Sequence, residues 1–274
     1  MLLLAPTLLA LAPVPGWSAE PPSAASTHSP AFHRTADTAG EEQERTQYIL
    51  RALHPDLPPE LQGLRQRSAG TGFYVTSRNI LTNHHVIARC KAVVSQLGGA
   101  DGRTTVARVL SQDPDHDLAL LESPVAADRS AVFEADPERS DLADLSIVGF
   151  GAHGLMSRVP KVTDASMPKY QISYRPALVP FNADVHTGNS GSPLINQYGG
   201  VIGVVRAKID TVKTYQKTGQ VVIDRGYSIN QYIVLNFLRR AGAAYRAEEP
   251  QASLTSEERL AAARHYLTLL GCWN

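Results

Sequence analysis

A serine hydroxyl is a weak nucleophile until an imidazole takes its proton as it attacks. In the run from His186 to Leu194, Ser190 follows Gly188 and Asn189 and directly precedes Gly191, in a turn about to enter an apolar strand. There the backbone N–H groups of Gly188 and Ser190 can point toward one small volume, where the negative charge of an acyl-transfer intermediate collects. Two upstream segments, Ile80 to Ile87 and Asp115 to Leu121, carry histidines and carboxylates. The chain thus offers a base, an orienting acid and a nucleophile in the order His, Asp, Ser.

Asp117 is the acid this order favours. It precedes the apolar run Leu118 to Leu121, at a strand entrance where a partly buried carboxylate can accept from an imidazole N–H and hold its tautomer. Asp113 and Asp115 read as capping residues of the preceding turn. Nothing near them has metal-ligand spacing such as H-E-x-x-H, so neither a metal nor an organic cofactor is expected. His84 and His85 are adjacent, and on an extended segment only one of them can face a cleft. The serine turn is not the G-x-S-x-G elbow, because Ser192 stands where its second glycine belongs, and the chain order differs as well.

These motifs resemble those of the chymotrypsin-like (trypsin-like) serine endopeptidases, in the bacterial branch that holds the HtrA proteases and the glutamyl endopeptidases. Thr82 to Val86 matches Thr-Asn-x-His-Val, and Gly188 to Pro193 matches Gly-Asn-Ser-Gly-[Gly/Ser]-Pro. The resemblance runs from about Gly70 to about Gly242. It implies His85 as the base, since the family's base directly precedes the valine, with Asp117 as its orienting acid and Ser190 as nucleophile. It places the oxyanion hole at the amides of Gly188 and Ser190. It also implies an all-β fold: two six-stranded antiparallel β-barrels with the active site in the cleft between them, plus short N- and C-terminal helices.

Departures from the family pattern carry information too. Asn189 replaces an Asp that, in digestive members, pairs with a newly cut N-terminal amine, so local packing is expected to set the hole. Asp184, six residues before Ser190, falls near the base of the primary side-chain pocket and would favour Lys or Arg there. Val205 stands where glutamyl endopeptidases present a His, which argues against a glutamate preference. Arg206 stands where Ser or Thr commonly supports the triad acid; it puts the tuning of Asp117 in question, and an uncapped arginine would favour acidic substrates.

Positioning such residues takes many short strands. Runs rich in β-formers recur at Gly72–Thr76, Asn79–Thr82, Ala92–Gln96, Thr104–Leu110, Leu118–Glu122 and Leu145–Phe150, then at Tyr170–Tyr174, Ser192–Asn196, Val201–Arg206 and Gln220–Ile229. The two series divide at a connector near Gly151 to Met167. A helix is predicted over Gln231–Arg240, stopped by Gly242. A last docking helix, capped by Thr255 and Glu258, is predicted to carry Leu260, Ala263, Leu267 and Leu270 on one side up to Gly271. The expected organisation is a signal peptide (1–25), a flexible leader with a short helix over 41–53 (26–68), the protease domain (69–242) and a C-terminal tail with the docking helix (243–274). A PDZ-type module of the HtrA kind is not expected.

The 274 residues include 26 basic and 26 acidic side chains, a balance that gives nucleic acid no electrostatic footing. Leu2 to Ala12 is apolar but too short to span a bilayer, and with the following small residues and prolines it reads as a secretory signal. A secreted or periplasmic location follows, with a polypeptide substrate, no membrane span and an open oligomeric state. In an oxidising compartment Cys90 and Cys272 either bridge or stay as separate thiols. The chemistry fits a serine endopeptidase first. A catalytically silent peptide-binding relative and an esterase on the same triad are the alternatives.

Overall fold

Aliphatic and β-branched runs this short cannot present a helical face, but they can pair, and pairing decides the architecture. A computed structural model describes residues 58–99, 102–136, 143–152, 157–167, 177–208, 211–219, 221, 223–249 and 252–274. All of these fall in one unit, Arg51–Asn274. The expected signal peptide, the leader helix and the strand at 170–174 lie outside the described residues.

The strands are β1 (Gln66–Tyr74), β2 (Asn79–Thr82), β3 (Ala92–Leu97), β4 (Thr104–Asp113), β5 (Leu118–Glu122), β6 (Val132–Glu134), β7 (Leu145–Gly149), β8 (Lys161–Ala165), β9 (Leu178–Asn182), β10 (Pro193–Asn196), β11 (Val201–Lys208), β12 (Arg225–Asn230), β13 (Arg246–Glu248) and β14 (Leu267–Trp273). Among the described residues four α-helices accompany them: α1 (His84–Ile87), α2 (Thr211–Thr218), α3 (Gln231–Arg240) and α4 (Ser256–Ala263). The fold is all-β, as the resemblance implies. Six strands close a barrel in the order β1-β14-β3-β4-β5-β2. A second antiparallel series runs β8-β7-β10-β11-β12-β9. Its outer strands meet where Ser166 and Asn182 exchange backbone hydrogen bonds of 2.9 and 2.7 Å. Short parallel pairings add β6 to β11 and β13 to β6.

β11 explains how the two halves pack. Its continuous apolar run is buried on both faces, which suits a strand between two cores. Ile202 and Val205 join Leu145, Ile147, Phe181 and Leu194 inside the second series. Val201 and Val204 join a larger cluster that reaches Phe73, Leu118 and Leu120 of the first barrel and Val234 and Phe237 of α3. Helix α3 has the predicted bounds, with Asn230 accepting from Tyr232 N at 2.9 Å at its start and Gly242 at φ +68° beyond its end.

The C-terminal prediction needs correcting. The capping box is present, with Glu258 N donating to Thr255 Oγ1 and Thr255 N to Glu258 Oε2, but α4 stops at Ala263. Leu267 to Trp273 is a strand, paired antiparallel with β1 on one side and β3 on the other. The apolar positions Leu260, Ala263, Leu267 and Leu270, spaced three and four apart, suit a helix in isolation. Two open strand edges in the first barrel supply a stronger demand for pairing than that spacing can resist. The tail expected over 243–274 is therefore not an appendage, since β14 is a wall of the barrel. The predicted division shifts for the same reason: β7 belongs to the second series, and the connector near 151–167 contains β8.

Three smaller differences remain. Helix α2 lies between β11 and β12, and β12 begins only at Arg225, after Asp224 turns the chain at φ +50°. His84 to Ile87 forms a single helical turn rather than extended chain. Cys90 and Cys272 are bonded, with Cα atoms 5.2 Å apart, which ties β14 to the segment just after α1.

Candidate active site

Asp117 adopts φ +59°, a left-handed conformation that Asp tolerates better than most residues. In that pose its backbone and side chain together grip the start of α1. The Asp117 carbonyl accepts from His84 N and from Asn83 Nδ2, each at 3.1 Å. Its Oδ1 accepts from His85 N at 2.9 Å and its Oδ2 from His85 Nδ1 at 2.7 Å. Burial pushes the carboxyl upward, but the His85 ring and backbone hydrogen bonds and the charge of Arg206 outweigh it and hold Asp117 below the usual range. An ionised carboxylate only accepts, so His85 Nδ1 carries the proton and Nε2 is left as a base. The side chain of Asp117 is 6% exposed and that of His85 47%, as suits a fixed acid and an accessible imidazole. His84 does not line the cleft. Asp113 caps its turn as predicted, accepting from His116 N at 3.1 Å, and also from Arg240 of α3 at 2.6 Å.

The serine turn is held by the first barrel. Gly188 and Gly191 sit at φ +98° and +84°, conformations that glycine adopts without steric cost. Thr71, fully buried, donates from Oγ1 to Gly188 O at 2.7 Å and accepts there from Phe150 N at 3.0 Å. Its own N–H donates to Ser190 O at 2.9 Å. Asn189 Oδ1 accepts from His186 N at 2.8 Å, and Asn189 N donates to His186 O at 3.0 Å, so this buried side chain organises its own loop. Among the described residues the amides of Gly188 and Ser190 donate to no acceptor. The Ser190 hydroxyl donates to Arg206 O at 3.1 Å.

His85, Ser190, Gly188, His186 and Arg206 line one cleft of about 530 Å³. Of the three specificity candidates, only Arg206 is on its wall. Val205 is fully buried in the second core, so it does not present itself to a substrate. Asp184 pairs with His186 at 2.9 Å, and His186, not Asp184, lines the cleft. Arg206 donates from Nε to Asp117 Oδ2 at 3.0 Å, so a guanidinium supports the acid at the place where the family commonly has the hydroxyl of Ser or Thr.

Thr71 was not among the predicted site residues. The signal was its flanking pair, Gly70 and Gly72. A side chain at Gly70 would collide with Val86 at 2.8 Å, and one at Gly72 with Ile80 at 2.7 Å. Two glycines inside a strand mark a close approach of other chain segments. His186 was read only as the start of the serine motif, although its place beside Gly188 in the loop puts its ring on the cleft wall.

Residues 70–204 match the family model of the trypsin-like peptidase domain. Serine protease Rv3671c of Mycobacterium tuberculosis is 33% identical over 153 residues, which is 53% of this chain and 38% of that one. Periplasmic pH-dependent serine endoprotease DegQ of Escherichia coli is 24% identical over 174 residues, 62% of this chain and 38% of its own. This chain thus spans well under half the length of these curated relatives. The crystal structure of the Rv3671c protease in its active form superposes with a TM-score of 0.51 at 25% identity, covering 68% of this chain and 82% of that one.

Proposed function

This chain carries a trypsin-like peptidase domain, and on that premise we propose that it hydrolyses peptide bonds through Ser190, His85 and Asp117. The Ser190 hydroxyl leaves the Arg206 carbonyl by rotating about its Cα–Cβ bond and passes its proton to His85 Nε2 while its oxygen attacks the substrate carbonyl. The Gly188 and Ser190 amides receive the oxyanion. His85 then protonates the departing amine, and a water repeats the sequence on the acyl-enzyme to release the acid. Asp117 stays ionised and stabilises the imidazolium.

One observation carries the reading: an imidazole whose Nδ1 is fixed on an ionised acid shares a cleft with a serine flanked by two uncommitted amides. Export to the periplasm or the medium is part of the proposal, supported by the apolar run Leu2 to Ala12 and by the similarity to the periplasmic endoprotease DegQ. Among the described residues no helix is long and apolar enough to cross a membrane.

A fluorophosphonate probe and a mixed peptide library test the assignment. Labelling and peptide turnover in the wild type, both lost in Ser190→Ala, are expected. Labelling with ester turnover but no peptide cleavage would make the site an esterase, and no labelling would make it a binding groove.

A further inference from the structure

Arg206 uses one nitrogen to support Asp117 and has two to spare. Its Nε donates to Asp117 Oδ2 at 3.0 Å, while among the described residues neither Nη atom has a hydrogen-bond partner. The side chain keeps 36% exposure and lines the cleft beside Ser190. Its carbonyl accepts from the Ser190 hydroxyl at 3.1 Å, so the residue lies alongside the path from nucleophile to base. The described lining of this cleft includes His85, His186 and Arg206 and no carboxylate, because Asp184 is turned to His186 and Asp117 is covered.

We infer that Arg206 makes the enzyme selective for substrates with an Asp or Glu side chain within two residues of the cleaved bond. The inference rests on the peptidase reading above. The open end of a guanidinium offers two parallel N–H groups that match a carboxylate, while Nε remains on the triad acid. A lysine ammonium could reach both only as a point charge, without the two parallel N–H groups. In the resting site Arg206 and Asp117 cancel in charge, so the attraction is directional rather than long-range. When His85 takes the serine proton, the charge it gains is matched by the oxyanion at the Gly188 and Ser190 amides, so the cluster stays neutral and the contact with a substrate carboxylate is kept from ground state to transition state. Selectivity therefore falls on kcat/KM chiefly through KM, because the contact is made alike in the ground and transition states.

The test uses internally quenched peptides, amidated at the C-terminus so that the side chain supplies the sole carboxylate near the bond. Members of each set differ by Glu, Gln or Lys at one position within two residues of the cleavage site. The wild type is expected to prefer Glu over Gln by about tenfold or more at one such position, the scale of a charge-assisted hydrogen bond. In Arg206→Gln that ratio falls to about one whatever happens to the overall rate, since each ratio is taken within one protein, and Arg206→Lys keeps part of it. Equal turnover of Glu and Gln peptides by the wild type, or a ratio unchanged in Arg206→Gln, would overturn the assignment. A preference restored only with free C-termini would assign the site to a terminal carboxylate instead and overturn it as well. Loss of wild-type labelling altogether would remove the peptidase reading, a distinct result.

Discussion

Thr71 donates its hydroxyl hydrogen to the carbonyl of Gly188 across 2.7 Å, joining the first barrel to the turn that carries Ser190, the proposed nucleophile. Fixing that carbonyl fixes the backbone rotation at Gly188, and with it the angle between the Gly188 and Ser190 amides. Thr71→Val keeps the shape and removes the hydroxyl, leaving Gly188 O and Phe150 N without their buried partner. We expect a loss of about 1–3 kcal/mol in urea denaturation. A kcat reduction of about 10- to 100-fold with a smaller change in KM should accompany it, since a misaimed donor matters most in the transition state. Thr71→Ser should recover most of both. Unchanged kcat in the valine variant would show that the turn holds its shape without this contact.

Asp117 links the site to acid stability. Its pKa is held below the ordinary value of 3.8 in the folded chain, so the ionised form is favoured by folding. The stabilisation it confers is present above the unfolded value and is lost as pH falls through the folded one. Asp117→Asn does not titrate, so the stability gap between wild type and variant should be widest near neutral pH and narrow below about 4. Asp113, also held low by its contacts with His116 and Arg240, is common to both proteins and cancels in the comparison. Denaturation curves at a series of pH values would read this directly, and a gap that stays constant down to pH 3 would contradict it.

The parts of the site legible in the sequence are those whose constraints are local. Ser190 with its glycines, Asp117 before β5 and His85 before Val86 each sit in a few residues of characteristic spacing. Asn189 was read as a sign that the loop organises itself, and its side chain does accept from His186 N three residues away. What was not legible depends on partners far along the chain. The hydroxyl of Thr71 acts 117 positions away. Leu267 to Trp273 becomes a strand only because β1 and β3 leave room between them, and that displaced both the predicted docking helix and the boundary between the barrels. Arg206 was visible as a departure from the family pattern. Its contact with Asp117 was not, because a long side chain chooses among partners that only the fold brings near.

The bridge between Cys90 and Cys272 spans 182 positions and holds β14 in the barrel near α1. Replacing both cysteines by serine releases a long loop in the unfolded chain, and a cost of about 2–5 kcal/mol is expected in equilibrium denaturation. Hydrogen exchange should accelerate first in β14, which entered the barrel from the far end of the chain. Equal protection in β14 with and without the bridge would mean that strand pairing alone retains it.

Gly191 is the position where steric constraint meets the proposed catalytic turn. At φ +84° an L side chain is already strained, and a Cβ there would run into Thr71 O and Thr82 Oγ1, two atoms that are themselves hydrogen-bonded to each other. Neither can retreat without breaking that bond and shifting β1. Gly191→Ala is therefore expected to cost about 3 kcal/mol or more and to abolish fluorophosphonate labelling, since the turn must move away from the hole. Gly219 and Gly242 provide the control. They sit at φ +71° and +68° with no atom within 4 Å of an added Cβ, so alanine there meets only the backbone penalty of about 1–2 kcal/mol. If Gly191→Ala proved no worse than Gly242→Ala in stability and labelling, the serine turn would have slack that its packing against Thr71 and Thr82 denies.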